Sequence, residues 1–133
     1  AARELLARAP AVLVAEQRRP DLELIVSAFV DDQFGPCALL GLGGAWTEAL
    51  GESVVVAGPA SERTVRRALS TTRWGRLLLE GGRGRRFPAD RVADCALRLL
   101  DLVTATGLAT VEINPLFVDG TGVVAVDALV EPS

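Results

Sequence analysis

The sequence predicts an α+β domain, a mostly antiparallel sheet with helices packed on it. Three observations carry that prediction. Apolar runs come in neighbouring pairs joined by short turns, Leu22 to Val30 with Cys37 to Leu42 and Ala109 to Val118 with Val123 to Val130, which is the spacing of hairpins and not of crossovers. A segment near residues 92–103 repeats its apolar residues at helical period. Strands and helices arrive in clusters instead of strict alternation, which disfavours a parallel sheet. With 133 residues the chain has room for a single domain.

The elements follow in order. Leu5 and Leu6 lie in an Ala- and Arg-rich stretch that reads as the end of a helix stopping at Pro10. Val12 to Ala15 is a short apolar run, read as a buried strand. Leu22 to Val30 is a long strand, Asp31 to Pro36 a turn with Asp, Gly and Pro in the places a turn needs them, and Cys37 to Leu42 the returning strand. Gly43 and Gly44 open a short segment, Ala45 to Leu50, before a strand at Ser53 to Ala57. Ser61 suits an N-cap, with Glu62 in the first turn of a helix running to about Thr72. Gly75 to Pro88 reads as a connection. Pro88 fits the start of a helix running to Thr106, whose buried stripe is Val92, Ala96, Leu99, Leu100 and Val103, with Gly107 as its C-cap. Asp119 to Gly122 turns the last two strands into a hairpin.

Composition excludes several chemistries. All 14 basic residues are Arg, and Lys, His, Met and Tyr are absent. A Schiff-base lysine, a P-loop lysine, a histidine general base and a His-ligated metal are impossible within this sequence. The missing Met fits either removal of an initiator or a start that is not the natural one. A net charge of −3 argues against nucleic acid as a partner. No apolar run reaches membrane-spanning length, and the first six residues do not read as a signal peptide. Cys37 and Cys95 lack metal-like spacing, so two reduced thiols and a cytoplasmic location are expected.

Three constellations could carry chemistry. In the first, Asn114 and Asp127 face each other across the last hairpin, and Glu112, two residues before Asn114, shares its side of the strand. Hard oxygen donors without His or Cys suit Mg²⁺. The competing reading is a simple bend at Asn114-Pro115 with an edge-strand charge at Asp127. Apolar neighbours of Glu112 and Asp127 suggest carboxylates that need pairing or a metal. The second constellation, Gly41 to Ala45, follows a strand and could let backbone amides approach phosphate, or could be a tight turn. It is not a dinucleotide fingerprint, because Trp46 stands where the third Gly is needed. The third, Gly81 to Arg86, reads as a solvated Arg-rich loop in preference to an RNA-binding one.

Several strings occur together in one order: Leu13-Val14-Ala15-Glu16, Glu23-Leu24-Ile25-Val26, Asp32-Gln33-Phe34-Gly35-Pro36, Gly41-Leu42-Gly43-Gly44, Glu48-Ala49-Leu50, Leu79-Glu80-Gly81-Gly82-Arg83-Gly84, Glu112-Ile113-Asn114-Pro115-Leu116 and Val124-Ala125-Val126-Asp127-Ala128. Over roughly residues 10 to 131 this resembles the ATP-grasp domain of NDP-forming (ADP-forming) acyl-CoA synthetases, relatives of the succinyl-CoA synthetase β subunit. The resemblance implies the end of the first lobe and the second lobe of an ATP-grasp fold, a fragment occupying residues 1–133 as a single domain. It implies an enzyme that converts acid, CoA and ATP to acyl-CoA, ADP and phosphate through a phosphohistidine on another domain or subunit. It places Glu16 at the hinge near the adenosine, Gly43 and Gly44 at the turn facing the phosphates or the histidine loop, Asn114 and Asp127 at Mg²⁺, and Glu112, as the catalytic residue of the set, near where the phosphohistidine loop docks.

On that resemblance the cofactors are Mg²⁺ and ATP/ADP. The partners are nucleotide and a CoA-binding, phosphohistidine-bearing domain or subunit. Neither nucleic acid nor a membrane is expected, and a homo-oligomer is compatible with it. The first-lobe lysines and the phosphohistidine lie outside these residues, so the isolated chain is expected to be inactive. Three positions depart from the family pattern: Ala15-Glu16-Gln17 at the hinge, Glu52 for an Asp, and Val56 for an Arg. The rival expectation is therefore a non-catalytic grasp-like module fused to another enzyme, such as an acyltransferase.

Overall fold

The computed structural model describes residues 14–44, 51–82 and 84–133. The expected helix around Leu5, the first half of the Val12–Ala15 run and the segment Ala45–Leu50 lie outside the described residues. Where Val14 and Ala15 are described, the strand expectation fails. They belong to an irregular stretch, and Val14 is 82% exposed. An apolar run becomes a strand only where a neighbour accepts its backbone bonds, and among the described residues the first such anchor is the Asp21 N–H donating to the Val118 carbonyl at 3.0 Å.

Among the described residues, six strands form one antiparallel sheet. We label them β1 (Leu22–Asp31), β2 (Gly35–Leu42), β3 (Ser53–Ala57), β4 (Thr110–Asp119), β5 (Gly122–Ala125) and β6 (Ala128–Glu131). The order across the sheet is β3-β2-β1-β4-β5, and β6 also pairs with β4. β1 and β2 make the expected hairpin, held at its tip by Asp31 Oδ1, which accepts the N–H groups of Gln33 and Phe34 at 2.9 Å each. Asp at that position closes the turn through its own side chain.

Among the described residues, three helices lie on one face: α1 (Glu62–Leu69), α2 (Arg73–Glu80) and α3 (Ala89–Thr106). α3 matches the predicted stripe, burying Val92, Ala96, Leu99, Leu100 and Val103, and ends at Gly107 with φ 70°. They meet Leu24, Val26 and Ala28 of β1, Leu40 of β2, and Val111, Leu116 and Val118 of β4. Burying a side chain of this size contributes roughly 1.5–3 kcal/mol.

Two expectations need correction. The helix begun at Ser61 stops at Leu69, and Arg73–Glu80, expected to be largely connection, is a second helix. Its start is built from afar. Thr72 Oγ1 accepts the Gly75 N–H at 3.0 Å, and Glu52 Oε2 accepts the Arg73 N–H at 3.0 Å, so two of the orphan donors of the first turn are satisfied. Gly75 is required there: a Cβ would lie within 2.7 Å of the Leu69 carbonyl carbon. The last predicted strand is also split, into β5 and β6, at Val126-Asp127. Among the described residues, no helix is long and apolar enough to cross a membrane.

Candidate functional site

The split strand creates the most organised polar site. Leu116 faces Ala125 and Ile113 faces Ala128, so the register continues through the break and sets Asn114 opposite Asp127. The Asn114 N–H donates to the Asp127 carbonyl at 3.2 Å, and the Val126 N–H to the Pro115 carbonyl at 3.1 Å. On its other side β4 carries a bulge. Leu24 pairs with Leu116 but Val26 with Ile113, so Asn114 and Pro115 together oppose Ile25. A bulge re-aims the side chains it carries.

Directly opposed strand residues have Cβ atoms about 4.5–5.5 Å apart, a separation that one six-coordinate ion can bridge with two oxygens. Asn114 Nδ2 donates to Glu112 Oε1 at 3.3 Å, which turns the amide oxygen away from Glu112. Asp127 Oδ1 accepts the Ala128 N–H at 2.8 Å, which fixes that carboxylate. One amide oxygen and one carboxylate, with a second carboxylate alongside, fit a hard cation that keeps most of its water. Among the described residues, no group of three or more His, Cys, Asp or Glu side chains forms a closed metal cage. The expected enclosure of the two carboxylates does not occur: Asp127 is exposed and Glu112 half-buried. The apolar neighbour Val111 points to the helix side, and Val126 is itself 52% exposed, so neither walls the site off from water.

The glycine turn lies on the same face, which carries no helix among the described residues, further along. The Gly43 N–H donates to the Glu23 carbonyl at 2.7 Å, and Glu23 pairs with Phe117, three residues beyond Asn114. That is about 10 Å along the strand. A Cβ at Gly43 would come within 3.3 Å of the β1 backbone, and Gly44 has φ +63° with the Glu23 carboxylate filling the space of its missing side chain. A pocket of about 220 Å³ adjoins the turn, lined by Ile25, Leu39, Gly41, Leu42, Gly51, Glu52 and Ser53.

Glu112, Asn114 and Asp127 are therefore brought together, with Gly43 and Gly44 at the far end of the same face. Glu16 stands apart. It lies in the irregular segment before β1, exposed, and pairs with Arg18 at 3.2 Å. Val56 is 3% exposed and points to the helix side, so that departure from the family pattern lies on the opposite side of the sheet from the polar site. Glu52 caps α2 and accepts the Trp74 indole N–H at 3.1 Å. Glu23 was given no role by sequence reasoning. The signal available was a glycine pair beside a strand that starts with an acid.

A protein-family model of the ATP-grasp domain matches residues 1–131. The chain belongs to the ATP-grasp family. It is 31% identical over 121 residues to an ADP-forming acetate–CoA ligase II of Archaeoglobus fulgidus, covering 91% of this chain and 18% of that protein. To the β subunit of the corresponding Pyrococcus furiosus ligase it is 32% identical over 123 residues, covering 88% of this chain and 51% of the subunit. This ATP-grasp chain thus spans about a fifth of the length of the first relative and about half of the second. Its fold is also similar to acetyl-coenzyme A synthetase 1 of Ca. Korarchaeum cryptofilum, with a TM-score of 0.78 and 26% identity over 87% of this chain and 55% of the other. That structure holds coenzyme A and Mg-AMPPCP, with a phosphohistidine segment pointing towards the nucleotide-binding site.

Proposed function

We propose that this chain is the metal- and nucleotide-facing part of the ATP-grasp domain of an ADP-forming acyl-CoA synthetase, comprising the end of the first lobe and the second lobe. The observation that supports it best is the in-register Asn114–Asp127 pair on the sheet face opposite the described helices. In this reading Asn114 and Asp127 hold Mg²⁺ through side-chain oxygens, and Glu112 orients the Asn114 amide from one side. When bound, the ion neutralises charge on the phosphate oxygens of ATP or ADP, the main service a protein provides in phosphoryl transfer. Glu112 also faces the approach of a phosphohistidine carried by the CoA-binding domain or subunit.

The reaction proposed for the parent protein is acid plus CoA plus ATP to acyl-CoA, ADP and phosphate. This chain contributes charge placement but no lysine or histidine, so the cationic phosphate grip and the phosphoryl carrier come from elsewhere in the protein. The test is acid- and CoA-dependent ADP release. The full-length protein is expected to support it, and the 133-residue chain alone is not. Release by the isolated chain, or none by the full-length protein, would overturn the reading.

A further inference from the structure

The glycine turn is shaped around a carboxylate. Gly43 is pinned to the Glu23 backbone, and the space above Gly44 is filled by the Glu23 side chain. A turn built that way presents negative charge to whatever approaches it, which suits a bare phosphate poorly. Glu23 is half-buried and faces the same side as Glu112 and Asn114. Among the described residues Asp21, Glu16, Glu62 and Asp94 each pair with an Arg, whereas no ion pair or side-chain hydrogen bond reaches the Glu23 carboxylate. A half-buried carboxylate without a partner, held beside a glycine turn, is open to a charge-assisted hydrogen bond from an incoming cation.

Resting on the ATP-grasp reading above, we infer that Glu23 is a positioning residue for a cation. It receives the ammonium or guanidinium group of a Lys or Arg side chain from the part of the protein outside this sequence, and holds it over the Gly43–Gly44 turn. The phosphate oxygens then meet that cation, and Glu23 acts on the nucleotide only through it. The sequence contains no Lys, which is consistent with the cation coming from the rest of the ATP-grasp protein.

The experiment uses the full-length protein and Mg-AMPPCP as the probe. Wild type, Glu23→Gln and Glu23→Asp are compared by calorimetric titration at low salt and at about 0.5 M salt. Glu23→Gln is expected to weaken binding about tenfold at low salt, the usual size for a lost charged hydrogen bond. The difference shrinks at high salt. KM for ATP rises with kcat nearly unchanged, the Mg²⁺ concentration dependence stays put, and Glu23→Asp restores part of the loss. Equal or tighter binding by Glu23→Gln overturns the inference, because the carboxylate then merely repels phosphate. So does a shifted Mg²⁺ requirement, which would make Glu23 a metal ligand, or a parallel loss of thermal stability in both variants, which would make it structural. If wild type binds no nucleotide at all, it is the proposed nucleotide-binding function that falls, and the inference with it.

Discussion

The two faces of the sheet obey different rules. On the helix side Leu24, Val26, Leu40, Leu116 and Val118 are at most 1% exposed, interlocked with Val92, Ala96 and Val103 of α3. On the other side these strands and β3 carry Glu23, Ile25, Ser27, Leu39, Val55, Glu112 and Asn114, of which Val55 is 54% exposed and Ser27 6%. Strand alternation separates the two sets within each strand. The difference teaches that stability and chemistry are assigned to opposite faces, so a substitution's effect is read first from the parity of its position.

The sharpest way to break that comparison is to empty the helix side. Leu40→Ala is expected to cost about 3 kcal/mol, the range for a truncated fully buried leucine, read as a lowered midpoint in urea. If it cost no more than a surface substitution, the helix side would not be the core. Next come the caps. Thr72→Ala removes a buried hydroxyl that accepts from Gly75 and donates to the Leu69 carbonyl at 3.1 Å, and is expected to cost about 2 kcal/mol. Ser61→Ala removes an exposed cap at 3.3 Å and should cost about half as much. Equal losses would show that burial does not set the worth of these caps.

A smaller effect is expected at the β4–β5 turn. The Thr121 hydroxyl, then the Thr121 N–H, and also the Gly122 N–H, donate to Asp119 and hold its carboxyl below the usual range. A depressed carboxylate stabilises the folded state above its unfolded pKa, and that contribution is lost as pH falls through the folded value. Wild type should therefore lose turn protection in amide exchange below about pH 4, near the reference carboxylate range, while Asp119→Asn starts lower and shows no such step. Smallest of all, Val55→Thr on the helix-free face should change stability by less than about 0.5 kcal/mol.

How much was legible depended on whether a signal was local. The β1–β2 hairpin was, because Asp31 to Pro36 carries its own turn chemistry. α3 was, because its stripe repeats over three turns. α2 was hidden because its cap depends on Glu52, more than twenty residues away, and because Gly75 in its first turn and Gly81 at its end read as loop. The break between β5 and β6 lies in an apolar run that continues through Val126, so composition gave no warning. At the site, hairpin register was enough to bring Glu112, Asn114 and Asp127 together. Glu23 was invisible because its role comes from contact with Gly44, a tertiary fact.

The central claim is that Asn114 and Asp127 jointly hold the nucleotide's divalent ion. Its most direct measurement is Mn²⁺ binding to the full-length protein by electron paramagnetic resonance, with and without AMPPCP, for wild type and the Asn114→Ala, Asp127→Ala double variant. The account predicts nucleotide-dependent Mn²⁺ capture by wild type and its loss, by about a hundredfold in affinity, in the double variant with folding intact, on the scale of two lost charged or polar ligands. Unchanged Mn²⁺ capture by the double variant would contradict it.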